Sequence, residues 1–145
     1  MELIIVRYAE LGLKGHNRQF FERRLIKNIK LCLRNAAVAF TAVKRLRGRI
    51  LVYADERALP FLKDVFGISS LSIATAVPLE IEAIKKASLE YAKEREFASF
   101  RITSQRINVR FPLDSMSVDK IVGEVIFETL HKPVDLRKPE LNIHI

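Results

Sequence analysis

The order of hydrophobic periodicities over the first 78 residues constrains the fold of this chain more than any other feature. Apolar residues alternate or run together in four short segments and recur at helical spacing in two longer ones. The segments are predicted as strand 2–8, helix 17–35, strand 37–43, strand 49–54, helix 58–66 and strand 70–78. The order βαββαβ is that of a ferredoxin-like domain, in which a four-stranded antiparallel sheet carries both helices on one face.

Three punctuating residues support this division. Pro60 falls in the first turn of the predicted second helix, where its missing N–H costs nothing, and Gly67 can end that helix in the left-handed conformation. Pro78 precedes a new helical pattern. We therefore predict an α+β protein with two domains, residues 1–78 and 79–145.

The second domain is predicted to contain two helices, 79–95 and 115–130, a strand at 98–104 and a final strand from Leu141. Asp114, Ser115 and Ser117 are candidate N-caps for the second of these helices. Gly123 lies inside that helix, where we expect it to allow close packing against another backbone. Because the sequence stops inside a predicted strand, we expect this domain to lack its last strands and the chain to be a fragment of a longer protein.

Positive charge is concentrated in the first third of the chain. Of the 25 basic and 17 acidic residues, 12 basic and only 3 acidic lie within residues 1–54. This imbalance is typical of a surface that binds a polyanion, most commonly a nucleic acid. No long uncharged apolar run or signal-like amino terminus is present, so we expect a soluble cytoplasmic protein that does not bind a membrane.

A loop with two glycines joins the first strand to the basic helix. Gly12 and Gly15 permit positive φ and close approach of the backbone, and the helix that follows directs free N–H groups toward an anion in the loop. Lys14 and Arg18 add full charges. This loop is consistent with phosphate binding, although an ordinary strand-to-helix turn explains the same residues.

The first helix is predicted to have one apolar and one cationic face. At 100° per residue, Phe21, Leu25 and Ile29 fall on one side with Cys32, which we expect to be a buried small hydrophobe. The opposite side and the basic turn 44–49 supply candidate contacts to RNA, chosen from charge geometry alone: Arg23, Lys27, Lys30, Arg45 and Arg47. A merely solvated face is the alternative. Phe20 projects toward the cationic side, either as a base-stacking platform or for packing against the second domain.

The segment 10–18 (ELGLKGHNR), followed by Phe21 and Glu22, resembles the amino-terminal signature of tRNA 4-thiouridine synthetases, which also act in thiamine biosynthesis. Further segments resemble the join between that family's ferredoxin-like and THUMP domains, and the THUMP pattern itself. They are FGISS at 66–70, Phe100–Arg101 with Arg106, Phe111–Pro112, Gly123–Glu124, and VDL at 134–136 with Pro139–Glu140. The resemblance spans nearly the whole chain.

The resemblance implies a tRNA-binding module for the acceptor stem and 3′ end. In such enzymes a separate catalytic domain uses ATP and a sulfur donor to thiolate uridine 8, and no ATP-binding loop of that domain is present in this sequence. We therefore expect no cofactor in this chain, no catalytic residue, and a partner domain in the same longer protein or on another chain, with a possible homodimer. The resemblance assigns RNA contact to further residues: Lys14, Asn17, Arg18, Arg101, Arg106 and Arg110.

Two other functions compete with this one. THUMP domains also accompany methyltransferases, deaminases and pseudouridine synthases, so the module could serve another RNA-modification enzyme. A ferredoxin-like fold with Gly12, Gly15 and Arg18 after its first strand is also similar to acylphosphatases, but the loop spacing differs and the second domain would be unexplained. The three histidines are too scattered to predict a zinc site or a catalytic dyad.

Overall fold

The protein is described by a computed structural model that covers residues 2–9, 15–46 and 48–145. The chain forms two compact units, the first ending at Ala76 and the second beginning at Val77. Within the described ranges, no helix is both long enough and apolar enough to cross a membrane.

The first unit has the predicted βαββαβ order. Its elements are β1 (Glu2–Tyr8), α1 (His16–Asn35), β2 (Ala42–Leu46), β3 (Arg49–Tyr53), α2 (Leu59–Leu62) with a preceding 3₁₀ turn (Glu56–Ala58), and β4 (Ile68–Thr75). The strands form one sheet in the order β2-β3-β1-β4, and every neighbouring pair is antiparallel. This is the ferredoxin-like arrangement that the periodicities predict.

The core of the first unit lies between α1 and one face of the sheet. Leu25, Ile29 and Leu33, spaced four residues apart, are buried together with Ile4 and Val52 of the central strands. Helical spacing on α1 and alternation on the strands therefore bury matching apolar faces. The opposite side of α1 is left to solvent.

The second strand differs from its predicted position of 37–43. Ala37 has a φ of 54°, and the N–H of Val38 donates to the carbonyl of Leu33 at 2.9 Å, so these residues close the end of α1 instead of starting a strand. The strand β2 begins only at Ala42 and includes Arg45, opposite Ile50 of β3. The predicted basic turn is thus largely strand, and Arg45 lies on the helix-covered face of the sheet.

The second helix is also shorter than the predicted 58–66. The chain turns after Leu62, where the N–H of Val65 donates to the Leu62 carbonyl, and Gly67 at a φ of 96° directs it into β4. Gly67 therefore has the predicted left-handed backbone, in a turn beyond the helix. Cys32 is half-buried rather than buried, and its Sγ lies 3.5 Å from the Phe61 carbonyl oxygen, to which it donates.

The second unit contains α3 (Ile81–Lys93), β5 (Phe100–Thr103), α4 (Ser115–Leu130) and β6 (Leu141–His144). All four elements lie within the predicted segments, although α3 and β5 are shorter than the predicted 79–95 and 98–104. The two strands pair in parallel, and Phe100 also forms an isolated parallel bridge with Val134. The core consists of buried side chains from both helices and both strands, including Ile84, Phe100 and Val122.

The start of α4 follows the predicted capping pattern. The Asp114 carboxylate accepts a hydrogen bond from the Ser117 N–H at 2.7 Å, and this bond lowers the pKa of Asp114. The predicted reason for Gly123, close packing against another backbone, is wrong. A Cβ at Gly123 would meet the Ile102 side chain at 3.9 Å, which is an ordinary contact and involves no backbone atom.

Candidate nucleic-acid interface

The exposed surface of α1 carries only positive charge. The helix contains six basic residues and one acidic residue, Glu22, and the carboxylate of Glu22 is buried. The basic residues are exposed except for Lys30, which is half-buried: Arg18, Arg23, Arg24, Lys27, Lys30 and Arg34. In the described part of the chain, none of them forms an ion pair. Their charges therefore remain available for a polyanion.

The N-terminal end of α1 begins at the predicted glycine loop. Gly15 has a φ of 55° and is the N-cap, and no side chain of the described residues caps the helix. Asn17 and Arg18, both predicted to contact RNA, lie exposed in the first turn. Gly12 and Lys14 fall outside the described residues, as does Arg47.

Glu22 connects α1 to two strands of the sheet. Its Oε1 accepts a hydrogen bond of 2.5 Å from the Tyr8 hydroxyl of β1, and its Oε2 accepts one of 3.0 Å from Nη1 of Arg45 on β2. The carboxylate is almost fully buried, whereas 52% of the Arg45 side chain is exposed. Arg45 therefore has one end of its guanidinium anchored inside the protein and the rest at the surface.

A shallow open groove runs between α1 and β2 at this point. Its lining consists of Gln19, Glu22, Arg23, Ile26 and Arg45. The groove brings together Arg23 and Arg45, which the charge pattern predicted as RNA contacts from separate elements. The observed position of β2 explains this proximity, because Arg45 lies on the helix-covered face of the sheet and reaches the side of α1.

Arg101 is held by the second unit's own backbone. Its Nη1 donates to the Leu136 carbonyl oxygen at 2.8 Å, and its Nε is buried with no hydrogen-bond partner among the described residues. The side chain thereby ties β5 to the segment before β6. Arg101 is half-buried, and Nη1 is the part of its guanidinium that donates a hydrogen bond within the described residues of the unit.

Arg106 and Arg110 lie on an exposed loop between β5 and α4. Arg106 stabilises the loop, since its Nη2 donates to the Val109 carbonyl at 2.5 Å and its Nε to the Asn108 carbonyl at 3.3 Å. The backbone N–H of Arg110 donates to the Asn108 side chain, but the Arg110 guanidinium has no hydrogen bond within the described residues. Of the predicted second-domain contacts, Arg110 is the one whose side chain is free of an internal role.

Glu22 belongs to the sequence segment that resembles the family signature, but the sequence assigned no role to it or to Tyr8. A glutamate among basic residues of an amphipathic helix is usually solvated. The hydrogen bond between Glu22 and Tyr8 can be recognised only when the position of α1 on the sheet is known. The available signal was that Glu22 is the sole acidic residue of the helix and directly follows Phe21 of the apolar face. Within the described ranges, no group of three or more histidine, cysteine or acidic residues is arranged to hold a metal ion.

Comparison with known protein families divides the chain at the same place as its compact units. Residues 3–72 match the ThiI ferredoxin-like domain, and residues 79–145 match the THUMP domain. A probable tRNA sulfurtransferase of Caldanaerobacter subterraneus is 35% identical over 150 residues, an alignment that covers 99% of this chain. The chain spans 38% of the length of that relative.

Two solved structures share the fold over the whole chain. PH1313 from Pyrococcus horikoshii superposes with a TM-score of 0.87 at 36% identity, and this chain covers 50% of it. A 4-thiouridine synthetase solved as an RNA complex with bound ATP superposes with a TM-score of 0.82 at 29% identity, and this chain covers 38% of it.

Proposed function

We propose that this chain, whose residues 3–72 belong to the ThiI ferredoxin-like domain family and whose residues 79–145 belong to the THUMP domain family, is a tRNA-binding module. The observation that carries the proposal is the likeness of the entire chain to part of a 4-thiouridine synthetase solved with RNA. The unpaired cations along α1 supply the charge that binding to a phosphate backbone requires.

The module serves a larger enzyme in this proposal. Probable tRNA sulfurtransferases are more than twice as long as the part this chain matches. We infer that a catalytic domain, in the same longer protein or on another chain, binds ATP and a sulfur donor and thiolates uridine 8 of the tRNA held by this module. The module itself contributes binding without a cofactor, works in the cytoplasm, and joins a homodimer in the complete enzyme.

Each unit has its own part in binding. The α1 surface, with Arg23, Lys27 and Lys30, neutralises phosphates of the acceptor stem, while Asn17 and Arg18 contact the same strand at the helix start. The nearly neutral second unit contacts the unpaired 3′ end, because unpaired bases are recognised by stacking and hydrogen bonding more than by charge. Arg101, Arg106 and Arg110 are its proposed contacts.

The proposal is tested by filter binding of transcript tRNA with and without its terminal CCA. Wild-type protein should bind both and prefer the intact end. Arg110→Ala disturbs the fold least, since the Arg110 guanidinium makes no hydrogen bond with the described residues, and it should lower the preference. Arg101→Ala/Arg106→Ala should remove most of it, provided that circular dichroism shows a folded protein. Absence of binding to either RNA would contradict the proposed function.

A further inference from the structure

The burial of Glu22 requires a physical reason. Only 2% of the residue is exposed, and a carboxylate in such an environment is costly unless hydrogen bonds and an opposite charge compensate it. Tyr8 and Arg45 provide both. The carboxylate thereby lies at the floor of the groove between α1 and β2, beneath a guanidinium that reaches the surface.

The two hydrogen bonds to Glu22 determine which N–H groups of Arg45 remain available to a ligand. Glu22 Oε1 accepts from the Tyr8 hydroxyl, and Glu22 binds Arg45 through a single Nη1–Oε2 contact rather than through a bidentate pair. In the described residues, Nε and Nη2 of Arg45 have no hydrogen-bond partner. Because the guanidinium is planar, the hydrogen bond at Nη1 restricts the directions in which its remaining N–H groups can point.

The groove supplies further donors beside those N–H groups. Arg23 and Gln19 line it on the α1 side, one turn apart from each other. Arginine is suited to phosphate because its planar set of donors matches two phosphate oxygens at once, and preorganisation reduces the entropy lost on binding. The groove is open, as a site for a phosphate within a continuous RNA backbone must be.

We propose that this groove binds one phosphate of the RNA backbone through Arg45 and Arg23, and that Glu22 is a positioning residue that orients Arg45 toward it. The inference rests on the proposed RNA binding and adds the role of an acidic residue to it. Glu22 acts through Arg45 and does not itself touch the RNA.

The direction in which the RNA affinity changes when the charge of Glu22 is removed distinguishes a positioning residue from a residue with no role in binding. A carboxylate near a phosphate repels it, so removing the charge should tighten binding if Glu22 has no positioning role. If Glu22 orients Arg45, its removal should weaken binding in spite of the more positive protein. Glu22→Gln keeps the shape of the side chain, and Glu56→Gln, at an exposed acid of the same unit, is the matched charge control.

Binding of an acceptor-stem minihelix should be measured for the wild type and these variants. Glu22→Gln is expected to weaken binding about fivefold, whereas Glu56→Gln should leave it equal or slightly tighter. In an Arg45→Ala background, Glu22→Gln should have no further weakening effect, because the residue through which it acts is gone. Equal or tighter binding by folded Glu22→Gln, or the same loss in both backgrounds, would overturn the inference.

Arg45→Lys provides a second test that does not disturb the buried carboxylate's charge balance. Lysine keeps the positive charge but lacks the planar donors, so binding should weaken about three- to fivefold, while Arg57→Lys should have no effect. Wild-type affinity in Arg45→Lys would overturn the inference. Failure of the wild type to bind the minihelix would instead overturn the proposed function, on which the inference rests.

Discussion

The ring of Phe21 occupies the space beside Gly67 that a side chain would need. A Cβ at Gly67 would lie 2.8 Å from Cζ of Phe21, closer than real Cβ contacts allow. The backbone of Gly67 also has a φ of 96°, which residues with a side chain rarely adopt. The turn into β4 and the packing of α1 on the sheet therefore both depend on this glycine.

Gly67→Ala should destabilise the first unit by about 2–3 kcal/mol through backbone strain and displacement of the Phe21 ring. Displacing the ring would also disturb its contact with Tyr8, whose ring centroid lies 5.7 Å from that of Phe21. Urea denaturation followed by circular dichroism measures the change. Adding Phe21→Leu to Gly67→Ala should recover part of the loss, and a fully additive double variant would show that the contact is not responsible.

Gly123→Ala should stabilise the protein, in contrast to Gly67→Ala. The residue lies inside α4, its φ is not positive, and the added Cβ would make an ordinary contact with Ile102. Alanine should therefore raise the free energy of unfolding by about 0.5–1 kcal/mol through its helix propensity. A decrease in the denaturation midpoint would indicate a neighbour that the described contacts do not include.

Acid should destabilise the second unit through two aspartates that accept backbone hydrogen bonds, the exposed Asp114 and the half-buried Asp135. The N–H of Ser117 lowers the pKa of Asp114, and the N–H groups of Lys138 and Arg137 lower the pKa of Asp135. A carboxyl group with a lowered pKa in the folded state stabilises it above the ordinary value of 3.8, and this contribution is lost as the pH falls through the folded pKa.

Thermal melts from pH 7 to pH 2.5 test this expectation. Asp114→Asn keeps an N-cap side chain but does not titrate, so its melting temperature should fall less steeply below about pH 4 than that of the wild type. Glu128→Gln, at an exposed residue of the same helix, is the control and should follow the wild-type curve. Identical slopes for wild type and Asp114→Asn would remove Asp114 from the explanation.

Local signals in the sequence predict most of the fold. The bounds of α4 follow from Asp114 as its N-cap and from the apolar spacing of Val118 and Val122, and all of these are read within one segment. The start of β2 was misplaced because the left-handed Ala37 that closes α1 carries no glycine signal. Backbone hydrogen bonds from the N–H groups of Ala37 and Val38 to the carbonyls of Arg34 and Leu33 close the helix there, and no residue type in the segment marks that turn.

The candidate interface is predictable only in part, because the orientation of its side chains depends on contacts between elements distant in the sequence. The spacing of Arg23 and Lys27 places them on one helix face without knowledge of the fold. The pairing of Glu22 with Arg45 joins residues 23 positions apart and depends on the register of β2 beside β3 and on the docking of α1. The sequence therefore predicts which charges are available, while the structure determines how they are oriented.

The salt dependence of tRNA binding tests the central claim, that the α1 surface neutralises RNA phosphates, most directly. Each lost phosphate contact should lower the slope of log affinity against log salt by roughly 0.7–0.9. Arg23→Ala/Lys27→Ala should therefore reduce the slope by about 1.5 and weaken binding to tRNA with and without CCA alike. Lys63→Ala/Lys86→Ala removes the same charge at exposed positions outside α1 and should leave the slope nearly unchanged. Equal slopes for the wild type and the α1 variant would contradict the account.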